Sequence, residues 1–251
     1  MNSTPFFSII TPTYNRVNDG KLKRCLNSVL TQTFEDFEII VVDDGSEENV
    51  AGLVAEYDER FKCVRIEHQE RVRARNAGYK AMSDSQFVCQ LDSDDCYDPE
   101  YLRTFHYYIE QDPEVHVWIC SSCIHGIAKD DHGRQLVPTW TKIRQAWMPP
   151  LNEVGTAHAF FPSGHIGLGQ YVFSRVAFEA IGSYPETWVN FYHIADGVHE
   201  WSGFLMDPPY YSAKERWLGD PFGDDAAQIL ALAKRFKFSL IDAALYRQYR
   251  K

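Results

Sequence analysis

The first half of the chain alternates between short continuous apolar runs and segments in which apolar residues recur at helical spacing. The runs at residues 6–11 and 37–42 are followed by residues 22–30 and 50–57, where hydrophobic side chains return every three or four positions. A continuous apolar run bounded by turn residues is typical of a buried strand, and the longer spacing is typical of an amphipathic helix. The chain therefore begins with two predicted strand–helix units.

The same alternation continues toward the middle of the chain. It predicts a strand at residues 63–66, a helix over 72–82, a strand at 86–91, a helix starting near Pro99 and a strand at 115–120. Apolar strands separated by helices indicate a parallel sheet covered on both faces. The predicted fold class is therefore α/β, with a Rossmann-like, mostly parallel central sheet flanked by helices.

The pattern changes in the second half of the chain. Residues 124–169 are expected to form a loop-rich region that carries aromatic and histidine side chains. Helical spacing returns at 174–181, with Gly182 as the expected C-terminal cap, and at 224–236, where acidic residues stand at the N-terminus. We find no internal repeat and no low-complexity linker, so one domain over residues 1–251 is predicted.

The size and charge of the chain narrow the possible functions. A chain of 251 residues with 45% hydrophobic residues can bury a substantial core. Its formal net charge of −10 argues against a nucleic acid as the main partner, because phosphate binding needs a concentrated excess of Lys and Arg. An acidic cleft that binds a cation fits this charge better.

The sequence also carries signals about location. No segment has the roughly 18 apolar residues needed to span a bilayer, and the N-terminus lacks the features of a signal peptide. The six cysteines are scattered, which fits a reducing compartment, and the CxxC of Cys120 and Cys123 is a weak zinc signal without a second pair. We therefore expect a cytoplasmic protein.

The C-terminal residues 234–251 depart from the acidic composition. Basic side chains there are interleaved with aromatic ones, a pattern that could contact an anionic membrane surface. The alternative is that these charges simply face water, as exposed Lys and Arg ordinarily do. A peripheral contact at the inner membrane face therefore stays one of two interpretations.

Candidate chemistry is concentrated where two predicted strands end. Asp92, Asp94 and Asp95 follow one strand, while Asp43 and Asp44 follow another, and parallel strands place such ends at one edge of the sheet. Two like charges about 4 Å apart cost about 4 kcal/mol at an effective dielectric of 20, so the cluster implies a cation, full solvation or a raised pKa. Mg²⁺ or Mn²⁺ would suit these oxygen ligands. The alternative is a polar turn that caps the next helix.

Five segments of the chain, taken together, indicate a protein family more specifically than any one of them does. They are SIITPTYNR (8–16), SVLTQTF (28–34), IVVDDGS (40–46), ARNAG (74–78) and LDSDD (91–95). In this order they resemble the nucleotide-binding half of a family-2 glycosyltransferase with the GT-A fold. The resemblance implies a nucleotide-sugar-binding half, residues 1–112, and a variable acceptor-binding half, residues 113–251.

The same resemblance implies roles for individual residues. Tyr14 would stack on the nucleotide base, Asp44 would accept a hydrogen bond from the base, and Asp94 would coordinate Mn²⁺ or Mg²⁺, with Asp92 near the ribose or the metal. Either Arg71 or Arg75 would help to hold the base and the neighbouring acids. The implied nucleotide-sugar contacts are Pro12, Tyr14, Asn15, Asp44, Arg71, Arg75, Asp92 and Ser93.

The resemblance returns late in the chain, at GDDA (223–226), where the family usually has Gly-Glu-Asp before an amphipathic helix. In that register Asp225 takes the position of the general base, and Asp224 replaces the commoner Glu. Displacement at an anomeric carbon needs a carboxylate opposite the leaving diphosphate to accept the acceptor's proton. One such base implies inversion, whereas the alternative is that Asp225 only caps a helix.

Histidines are frequent in the variable half. Some relatives are similar in using a late histidine as an additional metal ligand, and His193 and His199 are candidates here, together with His158 and His165. Each imidazole could equally be structural or contact the acceptor, since histidine serves all these roles.

The sequence therefore predicts an inverting glycosyltransferase that transfers a sugar, from a UDP-sugar by family precedent, to a glycan or glycolipid, as in polysaccharide biosynthesis. One alternative is a sugar nucleotidyltransferase, although such enzymes generally open with a Gly-rich phosphate loop and this chain has PTYNR at residues 12–16. The other is a catalytically silent nucleotide-sugar-binding module, suggested by Asp224 and by the weakly matching middle of the chain.

Overall fold

The computed structural model describes residues 4–69, 71–129, 135–144, 168–183, 228, 232 and 235–250. Within these residues the chain forms one nine-stranded sheet with helices packed on it. The strands are β1 (Phe7–Thr13), β2 (Phe37–Asp44), β3 (Phe61–Ile66), β4 (Phe87–Gln90), β5 (Cys96–Tyr97), β6 (Val117–Lys129), β7 (Gln135–Arg144), β8 (Tyr171–Ser174) and β9 (Phe238–Arg250). The helices are α1 (Lys21–Leu30), α2 (Val50–Val54), α3 (Arg71–Ala81), α4 (Tyr101–Gln111) and α5 (Arg175–Ile181).

The first half of the chain forms a parallel half-sheet. Its strand order is β3-β2-β1-β4, and all three neighbouring pairs are parallel. Phe7 of β1 pairs with both Phe37 of β2 and Phe87 of β4. β1 lies between β2 and β4 and is parallel to both, so the carboxyl ends of the three strands lie at one edge of the sheet. The predicted parallel α/β arrangement is confirmed.

Two hydrophobic clusters cover the two faces of this half-sheet. Ile9 packs in a cluster with α1, α2 and α4, whereas its neighbour Ile10 packs in a cluster with α3 and α5. Successive side chains of a strand point to opposite faces, so a strand buried on both sides must be apolar at every position. Full burial of one Leu, Ile or Val side chain stabilises the fold by about 1.5–3 kcal/mol. This double burial explains why the strands read as continuous apolar runs.

Helix α3 lies unusually close to the sheet because of Gly78. A Cβ atom at this position would stand 2.4 Å from Cγ2 of Ile10 and 3.2 Å from Cγ2 of Val42. Any side chain would therefore push the helix away from β1 and β2. Since α3 also carries Arg71 and Arg75, Gly78 sets the height of both guanidinium groups relative to the strand ends.

β1 continues past the point where the sequence predicted that it would end. The strand includes Pro12 and Thr13, which pair with Val42 and Asp43 of β2. On the other side, β4 pairs with β1 only from Phe7 to Ile10. Pro12 is tolerated here because its missing N–H does not interrupt a ladder on both sides of the strand.

The second half adds mainly antiparallel strands. β8 lies antiparallel between β4 and β6, β9 is parallel to β6, and β5 pairs antiparallel with β9. Within residues 124–169, predicted to be loop-rich, β6 extends to Lys129 and pairs with β7 as an antiparallel hairpin. That expectation was wrong for these strands. An antiparallel strand can leave one face to polar residues, so it lacks the continuous apolar run that identifies a buried parallel strand.

The structure describes the first of the two predicted late helices in full and the second at a few residues only. Helix α5 begins after Ser174, whose hydroxyl accepts a hydrogen bond from the Ala177 N–H, and it ends at Gly182 with a φ of 72°, as predicted. Of the predicted helix at 224–236, the described Gln228 and Leu232 are helical and buried, and Asp225 lies outside the described residues. None of the helices in the described part of the chain is long and apolar enough to cross a bilayer. The single domain and its two halves stay predictions.

Candidate active site

A polar pocket of about 390 Å³ opens at the carboxyl edge of the parallel half-sheet. It is lined by Pro12, Thr13, Tyr14, Arg16, Asp44, His68, Arg71, Ala74, Asp92, Ser93 and Asp94. The pocket thus collects residues from the ends of β1, β2, β3 and β4 and from the first turns of α3. Seven of the predicted site residues are among them: Pro12, Tyr14, Asp44, Arg71, Asp92, Ser93 and Asp94.

One end of the pocket consists of Tyr14, Asp44 and His68, and we call it the base end because Tyr14 and Asp44 are predicted to hold the nucleotide base. The carboxylate of Asp44 accepts a hydrogen bond from the Gln69 N–H at 2.8 Å and lies 2.9 Å from Nδ1 of His68. The His68 ring stacks on Tyr14, with ring centroids 4.2 Å apart and planes 22° apart. Tyr14 nevertheless remains 43% exposed. An aromatic face and an oriented carboxylate therefore lie side by side.

His68 was not among the predicted site residues. Its Nδ1 lies 3.0 Å from the backbone carbonyl of Asp44 and 2.9 Å from the carboxylate, and both of these partners only accept hydrogen bonds. Nδ1 must therefore carry the proton, which fixes the tautomer of a neutral ring. The available sequence signal was its position two residues after the third predicted strand, at the edge where the other strands deliver polar residues.

Asn15 is close to the pocket without lining it. It adopts a left-handed backbone, with φ 50°, and its side-chain oxygen accepts the Glu47 N–H at 3.0 Å. Its own N–H donates to Oγ of Ser46 at 3.0 Å. Asn15 therefore joins the loop after β1 to the loop after β2, and so supports the positions of Tyr14 and Asp44.

The two acids at the end of β2 point to different surroundings. Asp43 is buried, pairs with Arg65 and accepts the Ser46 N–H at 2.9 Å. Asp44, the next residue, lines the pocket. Because side chains alternate along a strand, only one of the pair can face the site.

The opposite end of the pocket, the acid end, contains Asp92 and Asp94. Arg75, whose side chain is only 1% exposed, donates from Nη2 to Oδ1 of Asp92 at 2.9 Å, whereas Asp92 is 38% exposed. Arg75 therefore lies beneath the pocket and orients Asp92, while Arg71 lines the pocket itself. A third cation, Arg24 of α1, donates to the backbone carbonyl of Asp94 at 2.8 Å.

Asp95 is turned away from the other two acids. It is buried and accepts hydrogen bonds from the Tyr246 hydroxyl at 2.6 Å and from the Tyr249 N–H at 3.3 Å. Burial, with a smaller contribution from the charge of Asp92, raises the pKa of Asp95 to about 7. The three-acid cluster is thus divided into two carboxylates that face the pocket and one that faces the interior.

Asp92 and Asp94 are a donor set that fits Mg²⁺ or Mn²⁺. These ions prefer oxygen ligands and usually take one or two carboxylates, with water and substrate phosphates at the other positions. Among the described residues no group of three or more His, Cys, Asp or Glu side chains is arranged to hold a metal ion. A metal ion held by Asp92 and Asp94 would therefore need further ligands, which water and a bound phosphate could supply.

Several predicted residues lie outside the described part of the chain: Asp225, His158, His165, His193 and His199. Gln228, three residues after Asp225, is described and buried. Its side chain accepts hydrogen bonds from Gln90 and, at 2.8 Å, from the Tyr171 hydroxyl, and its amide lies 3.1 Å from the Tyr79 hydroxyl. This network fastens Gln228 to the end of β4 and to β8.

The fold and the pocket define an α/β protein of the doubly wound class, and comparison with known proteins gives the family. The chain matches Glycosyl transferase family 2 over residues 8–181, and it belongs to this family. The GT-A fold and the family that the motifs indicated are therefore confirmed.

Curated relatives match less than half of the chain. Succinoglycan biosynthesis protein ExoW of Rhizobium meliloti is 39% identical over 100 residues, which are 38% of this chain and 31% of that protein. Glycosyltransferase GlyA of Streptococcus pneumoniae is 35% identical over 102 residues, which are 39% of this chain and 14% of that protein. The chain thus spans less than a third of the length of either relative.

Solved structures extend the likeness to nearly the whole chain at the level of fold. TarS of S. aureus, residues 1–349 in complex with UDP-GlcNAc, gives a TM-score of 0.62 at 19% identity and covers 98% of this chain and 58% of that one. Mannosyltransferase PcManGT from Pyrobaculum calidifontis, in complex with GDP-Man and Mn²⁺, gives 0.56 at 16% identity, covering 98% of this chain and 57% of that one.

Proposed function

We propose that the protein is an inverting glycosyltransferase that transfers a sugar from a nucleotide-sugar donor to an acceptor hydroxyl. The observation that carries the proposal is the pocket itself, in which an exposed aromatic ring and an oriented carboxylate lie opposite a pair of acids. A nucleotide sugar has a base at one end and a charged diphosphate toward the other. The two ends of the pocket match the two ends of this donor.

At the base end, Tyr14 offers its exposed ring for stacking, and Asp44 accepts a hydrogen bond from a base N–H. Both oxygens of Asp44 are already oriented by Gln69 and His68, so its carboxylate does not have to reorganise when the base binds. We propose UDP as the nucleotide, supported by family precedent and by the UDP-GlcNAc complex of TarS. The GDP-Man complex of PcManGT makes GDP the competing donor in the test below.

At the acid end, Asp92 and Asp94 would hold the divalent cation, and Arg71 would add positive charge toward the diphosphate. A bound Mg²⁺ or Mn²⁺ supplies charge that stabilises the leaving diphosphate. Arg75 orients Asp92 from below, through the 2.9 Å hydrogen bond. The protein's own contribution is therefore to keep two carboxylates fixed toward the phosphates before the donor arrives.

Asp225 is the proposed general base. It would accept the proton of the acceptor hydroxyl while that oxygen bonds to the anomeric carbon and the nucleoside diphosphate leaves from the opposite face, which inverts the configuration. Three residues of chain span at most about 11 Å. Because Gln228 is fastened to Gln90, two residues before Asp92, this tether supports a base within reach of the acid end.

The acceptor and the location are also proposals. A glycan or glycolipid acceptor, as in polysaccharide biosynthesis, is supported by the name of the ExoW relative. The reaction would take place on the cytoplasmic side. Two of the basic residues considered for membrane contact are paired with acids, Lys237 with Asp112 and Arg247 with Asp98, which reduces the charge they could offer to a membrane.

The test is a thermal-shift screen of UDP-sugars and GDP-sugars with and without Mn²⁺, followed by product analysis. A ligand that binds only the folded protein raises its apparent stability. We expect stabilisation by UDP-sugars that Mn²⁺ increases, and this increase should be lost in Asp94→Ala and kept in Asp84→Ala, an exposed acid outside the pocket. Stabilisation by GDP-sugars alone would correct the donor, and release of pyrophosphate from a nucleoside triphosphate would show the nucleotidyltransferase instead.

Removing the proposed general base distinguishes an active glycosyltransferase from a catalytically silent binding module. Asp225→Asn should bind the donor normally and transfer the sugar about 100-fold to 10,000-fold more slowly, because it removes only the proton acceptor. An unchanged rate in Asp225→Asn would show that the catalytic assignment is wrong.

A further inference from the structure

The acid loop, which we define as residues 91–95 between β4 and β5, contains three acids with different surroundings. Asp92 and Asp94 line the pocket, whereas Asp95 is buried on the other side of the loop. Three carboxylates within four residues repel one another unless each has its own partner. The loop therefore needs a contact that holds one acid in the interior while the other two face the pocket.

Strand β9, which is distant in sequence, makes this contact. The Tyr246 hydroxyl donates to Oδ2 of Asp95 at 2.6 Å, and the Tyr249 N–H donates to Oδ1 at 3.3 Å. The Tyr246 ring itself is confined by Gly169, where a Cβ atom would stand only 2.0 Å from a ring carbon. The hydroxyl is thus held at a fixed place by packing that does not involve the pocket.

Further contacts fix the loop to the same strand. The residues that follow the loop, Cys96 and Tyr97, pair in register with Arg247 and Tyr246. Arg24 of α1 donates to the Asp94 carbonyl at 2.8 Å, and its guanidinium lies 3.9 Å above the ring of Tyr249. The loop is therefore held from β4 on one side and from β9 on the other.

We propose that Tyr246 is a positioning residue for the acid loop: its hydroxyl holds Asp95 in the interior and thereby fixes Asp92 and Asp94 toward a divalent cation and the donor diphosphate. This inference rests on the proposed metal and diphosphate role of those two acids. Without the hydroxyl, the buried carboxyl group keeps one backbone donor among the described residues, and a buried polar group that is short of partners is more stable in water. The neighbouring residues Asp92 and Asp94 line the pocket, so we expect Asp95 to turn toward the pocket and the loop to rearrange.

The experiment measures UDP binding to the purified chain by calorimetry, in Mn²⁺ and in EDTA. The quantity compared is the ratio of the two dissociation constants, which reports the metal-dependent part of the affinity. We expect Tyr246→Phe to reduce this ratio about 10-fold, as loss of a group that orients a metal ligand typically does, while binding in EDTA stays near the parent value.

Tyr101→Phe is the matched control. Tyr101 is equally buried, and its hydroxyl donates to the Gly169 carbonyl at 2.9 Å without a contact to the acid loop. Both variants lose one buried hydroxyl, so their thermal midpoints should fall by similar amounts, but only Tyr246→Phe should change the ratio. Asp95→Ala removes the same contact from the other side, and should reduce the ratio as Tyr246→Phe does, with no further loss in the double variant.

The outcomes separate this inference from the proposed function. An unchanged ratio in Tyr246→Phe and in Asp95→Ala, with the ratio lost in Asp94→Ala, would overturn the role of Tyr246 alone. A parent protein whose UDP affinity is the same in Mn²⁺ and in EDTA would overturn the proposed metal site, and this inference with it. Equal losses in Tyr246→Phe and Tyr101→Phe would reduce Tyr246 to a general contribution to packing.

Discussion

The two ends of the pocket are built from different parts of the chain. At the base end, Asp44 is oriented by Gln69 and His68, 25 and 24 residues away in sequence. At the acid end, Asp95 is held by Tyr246 and Tyr249, 151 and 154 residues away. The base end is therefore complete within the parallel half-sheet. The acid end depends on the strand that lies at the opposite end of the described chain.

This difference suggests that base recognition and metal binding can be impaired separately. The base end should respond to changes near β2 and β3 with equal effects in Mn²⁺ and in EDTA. Changes at the acid end should alter only the metal-dependent part of the UDP affinity.

The largest expected effect is at the acid end. Asp94→Ala removes one of the two pocket carboxylates and should reduce sugar transfer about 100-fold to 1,000-fold, the range for loss of one electrostatic stabiliser of a transition state. Steady-state rates with a UDP-sugar and Mn²⁺ measure this effect. UDP affinity in EDTA should change little, and a large loss there would contradict the separation of the two ends.

The next effect is at the base end. Asp44→Ala removes a charged acceptor for the base and should weaken UDP binding about 10-fold to 100-fold, since hydrogen bonds to charged groups contribute about 1.5–3 kcal/mol. Calorimetry should find the same factor in Mn²⁺ and in EDTA. Asp58→Ala, in an acid paired with Arg60 away from the pocket, serves as the control. A loss seen only in Mn²⁺ would place Asp44 at the metal instead.

A smaller effect is expected from His68→Ala. The ring orients Asp44 and stacks on Tyr14 but is not itself proposed to bind the base, so UDP affinity should fall about 2-fold to 10-fold, a loss of the size of one hydrogen bond. The factor should again be equal in Mn²⁺ and in EDTA. Tighter UDP binding in the variant would mean that the His68 ring occupies the place of the base.

The smallest effect on the pocket is expected from Glu38, which lies at the amino end of the half-sheet, away from the site. Its buried carboxylate accepts from Ser8 at 2.5 Å, Lys62 at 2.6 Å and Ser83 at 2.6 and 2.8 Å. Burial acts to raise its pKa, but these hydrogen bonds outweigh burial and lower the pKa of Glu38 below its usual value.

The sign of the pH dependence follows from that lowered pKa. The carboxylate contributes its full stabilisation above the usual Glu pKa of about 4.3, and loses it as the pH falls through the lower folded value. Glu38→Gln should therefore reduce the free energy of unfolding by about 1–3 kcal/mol at pH 7 and flatten its decline below about pH 4.3. Urea unfolding across this range measures both. UDP affinity should be unchanged, and a change would show that the sheet transmits strain to the pocket.

The sequence was sufficient to predict the parts of the molecule whose structure follows from the local pattern of apolar and polar residues. The runs at β1, β2 and β4 identified the parallel half-sheet because burial on both faces requires every residue to be apolar. The polar residues that follow these runs, Tyr14, Asp44, Asp92 and Asp94, could be placed at one pocket because parallel strands end at a common edge. The assignment of their roles stays a prediction.

The parts that the sequence did not predict depend on partners far away in the chain. Nothing near Asp95 distinguishes it from Asp94, and its burial follows from Tyr246. His68 is an ordinary loop residue until folding brings it over Tyr14. The β6–β7 hairpin was taken for loop because one-sided burial leaves no continuous apolar run. Pattern analysis therefore located the acids but not the interior contact that divides them.

The position of β9 in the sheet also has a consequence for how the protein is made. This strand is inserted between β6 and β5, yet it is the last described element to leave the ribosome. A nascent chain can assemble the parallel half-sheet early, but β5 has no described strand to pair with until β9 has been made. Contacts that join such distant segments form slowly, so we expect the growing chain to recognise a nucleotide base before it can bind a metal ion.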